Sequence, residues 1–496
     1  MDNNQDKMIT GEIKGIMYIP TGLVNERVQL EPTDRQKRGD TFFLYFVLIT
    51  ANALMFVRGA CIVWTSPVIP QLKSNNSEIN PLKDPITTIQ VSMLFGIPSM
   101  CMILSTLLFG KLPDIIGRKY TLLCTSLTIL LASLLMFLFP NHVYIYIIGR
   151  SFVVLGYGLV PSVLPIYLNE ICEDHNRAKH GCLMMFFMPL GSVYSYIVGP
   201  TTTVRWFTLL CAAPLIPQIA FLLVLVPDSP IYSAAKKDRA TTIGILKKLR
   251  SNKCEEEIEE DYMKIETTLE TRNEAFGGGF KKLFGTRSLR RGVLIGLVVY
   301  LSIPLSGATL VMAYLAPIFN DTDTNLSGNT VALLAGIVKL VFFFVTFVIV
   351  GKFGRRPLLL FSSITTALTL AVTSVYFYLN EVNSTGVDQL KWLPVLCVLV
   401  YIACFSSGIG SIPTPLLSEL FPDDMRSTAC SFVRTFITII STLCALSFPL
   451  LVDYVGVYSC FGIFTVCCFL IFIFMYFLLP ETRGKSFSEI QELLNG

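Results

Sequence analysis

A chain of 496 residues with 53% hydrophobic side chains, 15% charged ones and a mean hydropathy of +0.61 is too apolar for an ordinary soluble globular protein. The net charge of +4 is too small to mark a nucleic-acid partner, and the basic residues that make it gather in particular loops. The 14 cysteines fall mostly in apolar runs (Cys101, Cys124, Cys211, Cys397, Cys467, Cys468), as small buried hydrophobes rather than a metal array or a disulfide framework.

Residues 1–41 are polar, with Arg35, Lys37 and Arg38 just ahead of the first apolar run and no cleavable signal peptide, so this segment is expected to stay in the cytoplasm. Twelve runs then approach the roughly 20 apolar residues needed to cross ~30 Å of hydrocarbon. They cover 42–66, 88–110, 121–139, 143–168, 181–199, 205–226, 291–318, 329–351, 357–379, 392–418, 428–452 and 457–479. The first six make an N-terminal half, 42–226, and the last six a C-terminal half, 291–479. Between them, 227–290 is the one sizeable polar segment. Its stretches 236–248 and 255–272 are charged and helix-prone, Glu255-Glu256-Glu257 is acidic, and Gly277-Gly278-Gly279 ends the helical pattern. It reads as a helical linker, and additionally as a latch that pairs with nearby basic turns when that side of the molecule closes. Residues 480–496 form a short cytoplasmic tail. The expected fold class is an all-α membrane protein: twelve transmembrane helices in two six-helix halves with a cytoplasmic helical linker.

Orientation follows from lysine and arginine. Loops on one side hold Lys111, Arg118, Lys119, Arg177, Lys179, Lys352, Arg355, Arg356 and Arg426, whereas the opposite loops hold only Lys73, Lys83, Arg205 and Lys391. This places both termini in the cytoplasm. Three glycosylation acceptor patterns, at Asn75, Asn325 and Asn383, all fall in the predicted outside loops.

The two halves echo one another. Gly110 to Lys119 recurs in reduced form at Gly351 to Arg356, and Glu170 with Arg177 is matched by Glu419 with Arg426. Pro227-Asp228-Ser229-Pro230 and Pro480-Glu481-Thr482-Arg483-Gly484 close the halves in turn. Repeated halves of several spans each are the sequence sign of a secondary transporter. This ordered set, together with Arg150, resembles the sugar porter family of the major facilitator superfamily along nearly the whole chain. Trp64-Thr65-Ser66-Pro67 and the overall spacing look most like the insect trehalose and glucose facilitators. The resemblance implies gating roles for Asp114, Arg118, Lys119, Arg150, Glu170, Arg177, Arg355, Arg356, Glu419 and Arg426. Cation–carboxylate pairs in a partly desolvated layer are expected to hold the halves together on the cytoplasmic side and to break on inward opening.

The substrate positions depart from that family. Its seventh helix carries a Gln-Gln-x-Ser-Gly-x-Asn segment that holds sugar hydroxyls; the matching stretch here is Ile303-Pro304-Leu305-Ser306-Gly307-Ala308-Thr309. Other sugar-binding positions of the family fall at Met185, Tyr300, Lys339, Thr414 and Ile437. With the hydroxyl-reading amides replaced largely by apolar groups, discrimination between sugars is expected to fall. Three basic residues also lie inside spans, Arg58, Lys339 and Arg434. Arg58 shares a helical face with Thr65, and Arg434 shares one with Ile437 and Ser441. Each costs on the order of 2.5–3.5 kcal/mol on insertion scales, so each calls for a partner or a watery cavity.

No carboxylate lies between Thr41 and Gln71, where proton-coupled sugar porters place an aspartate, so facilitated diffusion is the expectation. No cofactor, metal site or enzyme constellation is expected, and the three histidines, His142, His175 and His180, lie in or near loops. The expected function is facilitated diffusion of a sugar such as trehalose or glucose across the plasma membrane by a monomer. The alternatives are transport of a lipophilic or anionic organic solute, hormone-like or a carboxylate, and a transporter-derived sensor.

Overall fold

The computed structural model describes residues 40–173, 176–275, 283–320, 326–382, 387–421, 423–481 and residue 489. Among these, eleven helices are long and apolar enough to cross a bilayer, from Phe42–Lys73 to Val457–Leu478. The tenth span is shorter. The run expected as one helix over 392–418 stops at Ser407 and resumes only at Pro413–Glu419. Gly408 and Gly410 weaken the helix there, and Pro413 and Pro415 remove amide donors. With Leu393–Ser407 counted, the twelve expected spans are all present, in two halves.

Four other spans are interrupted, the sixth at Ala213–Pro214, and the interruptions in the other three position functional side chains. The first span passes from Phe42–Val63 to Thr65–Lys73 through a break at Trp64. The fourth passes from Val143–Gly158 to Val160–Ile171. The seventh runs as Arg287–Leu305, Ala308–Ala313 and Leu315–Asn320. Backbone carbonyls freed inside a membrane must find donors elsewhere. Pro317 has no N–H for the carbonyl four residues before it, and Thr65 Oγ1 donates to that Ala313 oxygen at 2.9 Å. Pro165 likewise orphans the Pro161 carbonyl, toward which Arg434 Nη1 donates at 3.4 Å. In both cases the donor belongs to the other half.

Further clasps lie near the end of the bundle that carries Asn75. Tyr196 OH donates to Met312 O at 2.7 Å, Ala316 N donates to Ser66 Oγ at 3.1 Å, and Thr88 Oγ1 donates to Asp453 Oδ2 at 2.5 Å. Around them the second span packs on the eleventh and the fifth on the eighth. The halves are thus closed on one another at the Asn75 end.

At the basic end the polar segment forms helices Pro230–Ala235, Arg239–Leu249 and Glu255–Ala275. Leu246, Ile258 and Tyr262 make a small core among them. The segment is docked on the N-terminal half. Arg250 and Lys253 reach both Asp261 of the last of these helices and Glu173 at the end of the fourth span, with Lys253 Nζ 3.0 Å from Glu173 Oε2. Thr41 Oγ1 adds a hydrogen bond to Leu249 O at 2.9 Å. Burial alone would raise the pKa of Asp261, but Arg250 and Lys253 more than offset it and hold the carboxyl below its ordinary value. Glu255 of the acidic run pairs with Lys247 of the neighbouring linker helix at 2.5 Å, rather than with a basic turn.

Candidate functional site

Two places concentrate charge. The first is the pair of basic turns. Gly117 bends with φ of +100° and ends the short helix Leu112–Ile116. Arg118 opens the third span with its side chain only 6% exposed. Its guanidinium lies 3.0 Å from Glu170 Oε2 and donates to Glu170 Oε1 and to Pro113 O, each at 3.1 Å. It also lies 3.1 Å from Asp114 Oδ1 and over the Tyr232 ring at 5.5 Å. A two-pronged pair of this kind, with both partners buried, is strong when intact and costly when halved.

The second half repeats the turn with a different anchor. Gly354 has φ of +87°, and Glu481 accepts the amides of Arg355 and Arg356 at 3.2 and 3.1 Å. In the first half Asp228 accepts the Lys119 amide at 3.1 Å. Each closing motif therefore supplies a carboxylate to the N-terminus of the helix that follows the basic turn, where free amides and the helix dipole favour negative charge. A methyl group on Gly117 would stand 2.3 Å from Asp228 Oδ2, and one on Gly354 2.9 Å from Glu481 Oε2, so close approach and backbone turn both demand glycine. The Asp228 and Glu481 roles were missed in the sequence, although the matched position of their motifs was a signal.

These contacts differ from the expectation in one respect. The Arg118–Glu170 pair and the Glu481 cap each tie together elements of one half, instead of bridging the halves. Arg150 departs further. It sits two turns from the Asn75 end of the fourth span, donates to Cys61 O at 2.7 Å and lies over the Trp64 ring at 5.0 Å. It satisfies the carbonyl freed by the break in the first span and has no place at the basic turns. The side chains of Arg177, Glu419 and Arg426 lie outside the described ones, and so do residues Asn325 and Asn383. Asn75 is exposed.

The second place is the middle of the bundle. Spans one and five approach closely there, since a Cβ on Gly59 would stand 1.9 Å from Met188 O and one on Gly191 1.8 Å from Phe56 O. This puts Arg58 beside Met188, with Nη1 3.4 Å from Sδ and the guanidinium 5.9 Å from the Tyr157 ring centre. Arg434 of the eleventh span reaches Pro161 O, one turn along the fourth span from the Tyr157 ring beside Arg58, and Lys339 stands one turn from Gly336, where the eighth span packs closely on the fifth, the span that carries Met188. The three basic residues expected inside spans therefore gather in one region, while Arg150, which also lies within a span, is held elsewhere by Cys61 O and the Trp64 ring.

The remaining expected substrate positions divide. Tyr300 OH donates to Thr414 Oγ1 at 3.0 Å, joining spans seven and ten. Met185, Ile303 and Ser441 are half-buried, Pro304 and Ile437 are buried, and Thr309 is exposed. Thr65 is fully buried with its hydroxyl committed to Ala313, so it belongs to the clasp at the Asn75 end rather than to an open cavity. Tyr157, Pro161 and Met188 line the centre and were not foreseen. An aromatic and a methionine within apolar spans look like ordinary core.

A twelve-helix bundle of two halves, clasped at one end and carrying matched basic turns at the other, is the architecture of a secondary transporter working by alternating access. An inward-open structure of the xylose transporter XylE from E. coli superposes with a TM-score of 0.73 at 19% identity, covering 91% of this chain and 99% of that one. The family described as "sugar (and other) transporter" matches residues 46–494, and the chain belongs to it. The facilitated trehalose transporter Tret1 of Bombyx mori is 29% identical over 408 residues, 82% of this chain and 79% of its own. That of Polypedilum vanderplanki is 27% identical over 458 residues, 92% and 89% of the two chains. The protein is a multi-pass membrane transporter with the major facilitator fold, as its sequence motifs imply.

Proposed function

We propose that this chain carries a small organic solute across the plasma membrane by facilitated diffusion, as a monomer with its basic end in the cytoplasm. The observation that carries the uncoupled reading is charge placement. Carboxylates of the spans stand at their ends, as Glu170, Glu381 and Asp453 do, and the middles contain none to carry a proton. The lysine and arginine bias and the exposed Asn75 at the opposite end support the orientation. The basic turns then act as gates by fixing each half as a rigid body, and the Asn75 end, closed here, opens in the alternate state.

A sugar such as trehalose or glucose is the solute by descent. A second reading, a non-sugar organic solute, is favoured by the apolar residues at positions where the family presents amides, notably Met185, Ile303 and Ile437. Uptake of labelled trehalose and glucose into proteoliposomes tests the first reading. Saturable uptake that is unchanged by an imposed pH gradient is expected. Several-fold acceleration by an inward proton gradient would sink facilitated diffusion, and the absence of flux for both sugars would remove the sugar.

A further inference from the structure

Basic side chains inside a membrane persist when something repays their desolvation. Arg150 shows what repayment looks like: a buried guanidinium donating to Cys61 O at 2.7 Å and stacked on Trp64. The central three do not match it. Lys339 is 6% exposed and, among the described residues, makes no hydrogen bond or ion pair. Arg58, like Arg150, keeps a buried Nε with no acceptor, but its one hydrogen bond among the described residues is to a thioether, a weak acceptor, where Arg150 has a carbonyl. Arg434 has a single long contact to a carbonyl orphaned by proline. No span places an aspartate or glutamate in its middle to neutralise them. Like charges brought together at low dielectric repel, so this cluster is destabilised unless an anion enters.

We infer that Lys339, Arg58 and Arg434 form a carboxylate-binding site between the halves, and that the solute it takes is an organic monocarboxylate with an apolar body. The walls suit such a body: Met188 and Tyr157 flank Arg58, and Ile437 lies one turn along from Arg434. The guanidinium groups offer forked donors to a carboxylate and Lys339 a point charge. Because the three side chains come from spans one, eight and eleven, a bound carboxylate would contact both halves at once. That is the requirement for a solute whose binding is coupled to their relative motion. This deepens the non-sugar reading and rests on it only in placing the solute between the halves.

The test uses the full chain in lipid nanodiscs, with phenylacetate and its neutral isostere phenylacetamide as probes and trehalose as competitor. Saturable phenylacetate binding is expected, with the amide at least tenfold weaker. K339Q and R434Q should each weaken phenylacetate binding tenfold or more, while K339R, which keeps the charge, should stay within about threefold and show that the site is folded. Equal binding of acid and amide, undiminished binding by K339Q, or a loss in K339R as large as that in K339Q would each overturn the site. Proteoliposome flux separates the two failures. Phenylacetate binding without flux of any solute refutes transport and leaves the site standing, whereas trehalose flux without phenylacetate binding or competition refutes the site and leaves transport standing.

Discussion

The basic turns and the central basic cluster use the same kinds of side chain to opposite ends. At the turns, Arg118 reaches Glu170, Asp114 and a carbonyl, and Asp228 and Glu481 cap the helices that follow. At the centre, Lys339 has no hydrogen-bond or ion-pair partner among the described residues, and Arg58 has only a thioether. Saturated charge makes a rigid joint, and unsaturated charge makes a place for a ligand. The difference separates a joint built twice, with Asp228 and Glu481 in matching places, from a basic cluster that is built once, from residues of both halves.

The sharpest way to break this contrast is to unsaturate the turn. Glu170→Ala strands the buried Arg118 and is expected to cost about 3–5 kcal/mol of stability. Thermal unfolding in detergent should show the largest drop of any single substitution considered, and the double variant Arg118→Met with Glu170→Leu should recover most of it. If E170A unfolds like the parent, the pair is not the joint described above. Smaller but more discriminating are the two glycines. Gly117→Ala and Gly354→Ala each force a side chain into a left-handed backbone, at about 1–3 kcal/mol. G117A should be the worse of the two, because its methyl would stand 2.3 Å from the Asp228 carboxylate against 2.9 Å from Glu481. Equal losses measured side by side would mean that backbone strain alone matters and that the carboxylate caps contribute nothing.

The sequence revealed the joints better than the central cluster, for a physical reason. Motifs such as Gly117-Arg118-Lys119 are local and repeated, so two copies testify to one role. Spans were equally legible, being set by a single long-range property, although the interruptions at Trp64, Gly307 and Gly408–Ile412 were not. At Trp64, and again at Tyr314, carbonyls freed by the break are taken by distant donors, Arg150 for Cys61, Tyr196 for Met312 and Thr65 for Ala313, and no window of sequence contains both partners. Pro165 and Pro317 could have flagged orphaned acceptors but not which half would answer. For the same reason Arg150 reads as one of the gating cations until its carbonyl is found. Arg58, Lys339 and Arg434 announced themselves by cost alone, and only the fold could bring spans one, eight and eleven together.

The linker extends the comparison to the water-exposed edge, where the effect is smallest. Asp261 is held below its ordinary pKa by Arg250 and Lys253, so its contribution is complete above the unfolded value near 3.9 and is lost as pH falls through the lower, folded value. Docking of the helices between Pro230 and Ala275 should therefore be insensitive to pH from 8 to 5 and loosen only below about pH 4. Limited acid proteolysis reports this directly. Asp261→Asn should show at pH 7 a modest increase in linker cleavage, corresponding to about 1 kcal/mol for a partly buried network, and should flatten the acid step expected in the parent. Were the step to persist unchanged in D261N, another carboxylate would be anchoring the linker. Glu173, which shares Arg250 and Lys253 and ties the linker to the fourth span, would then be the group to replace.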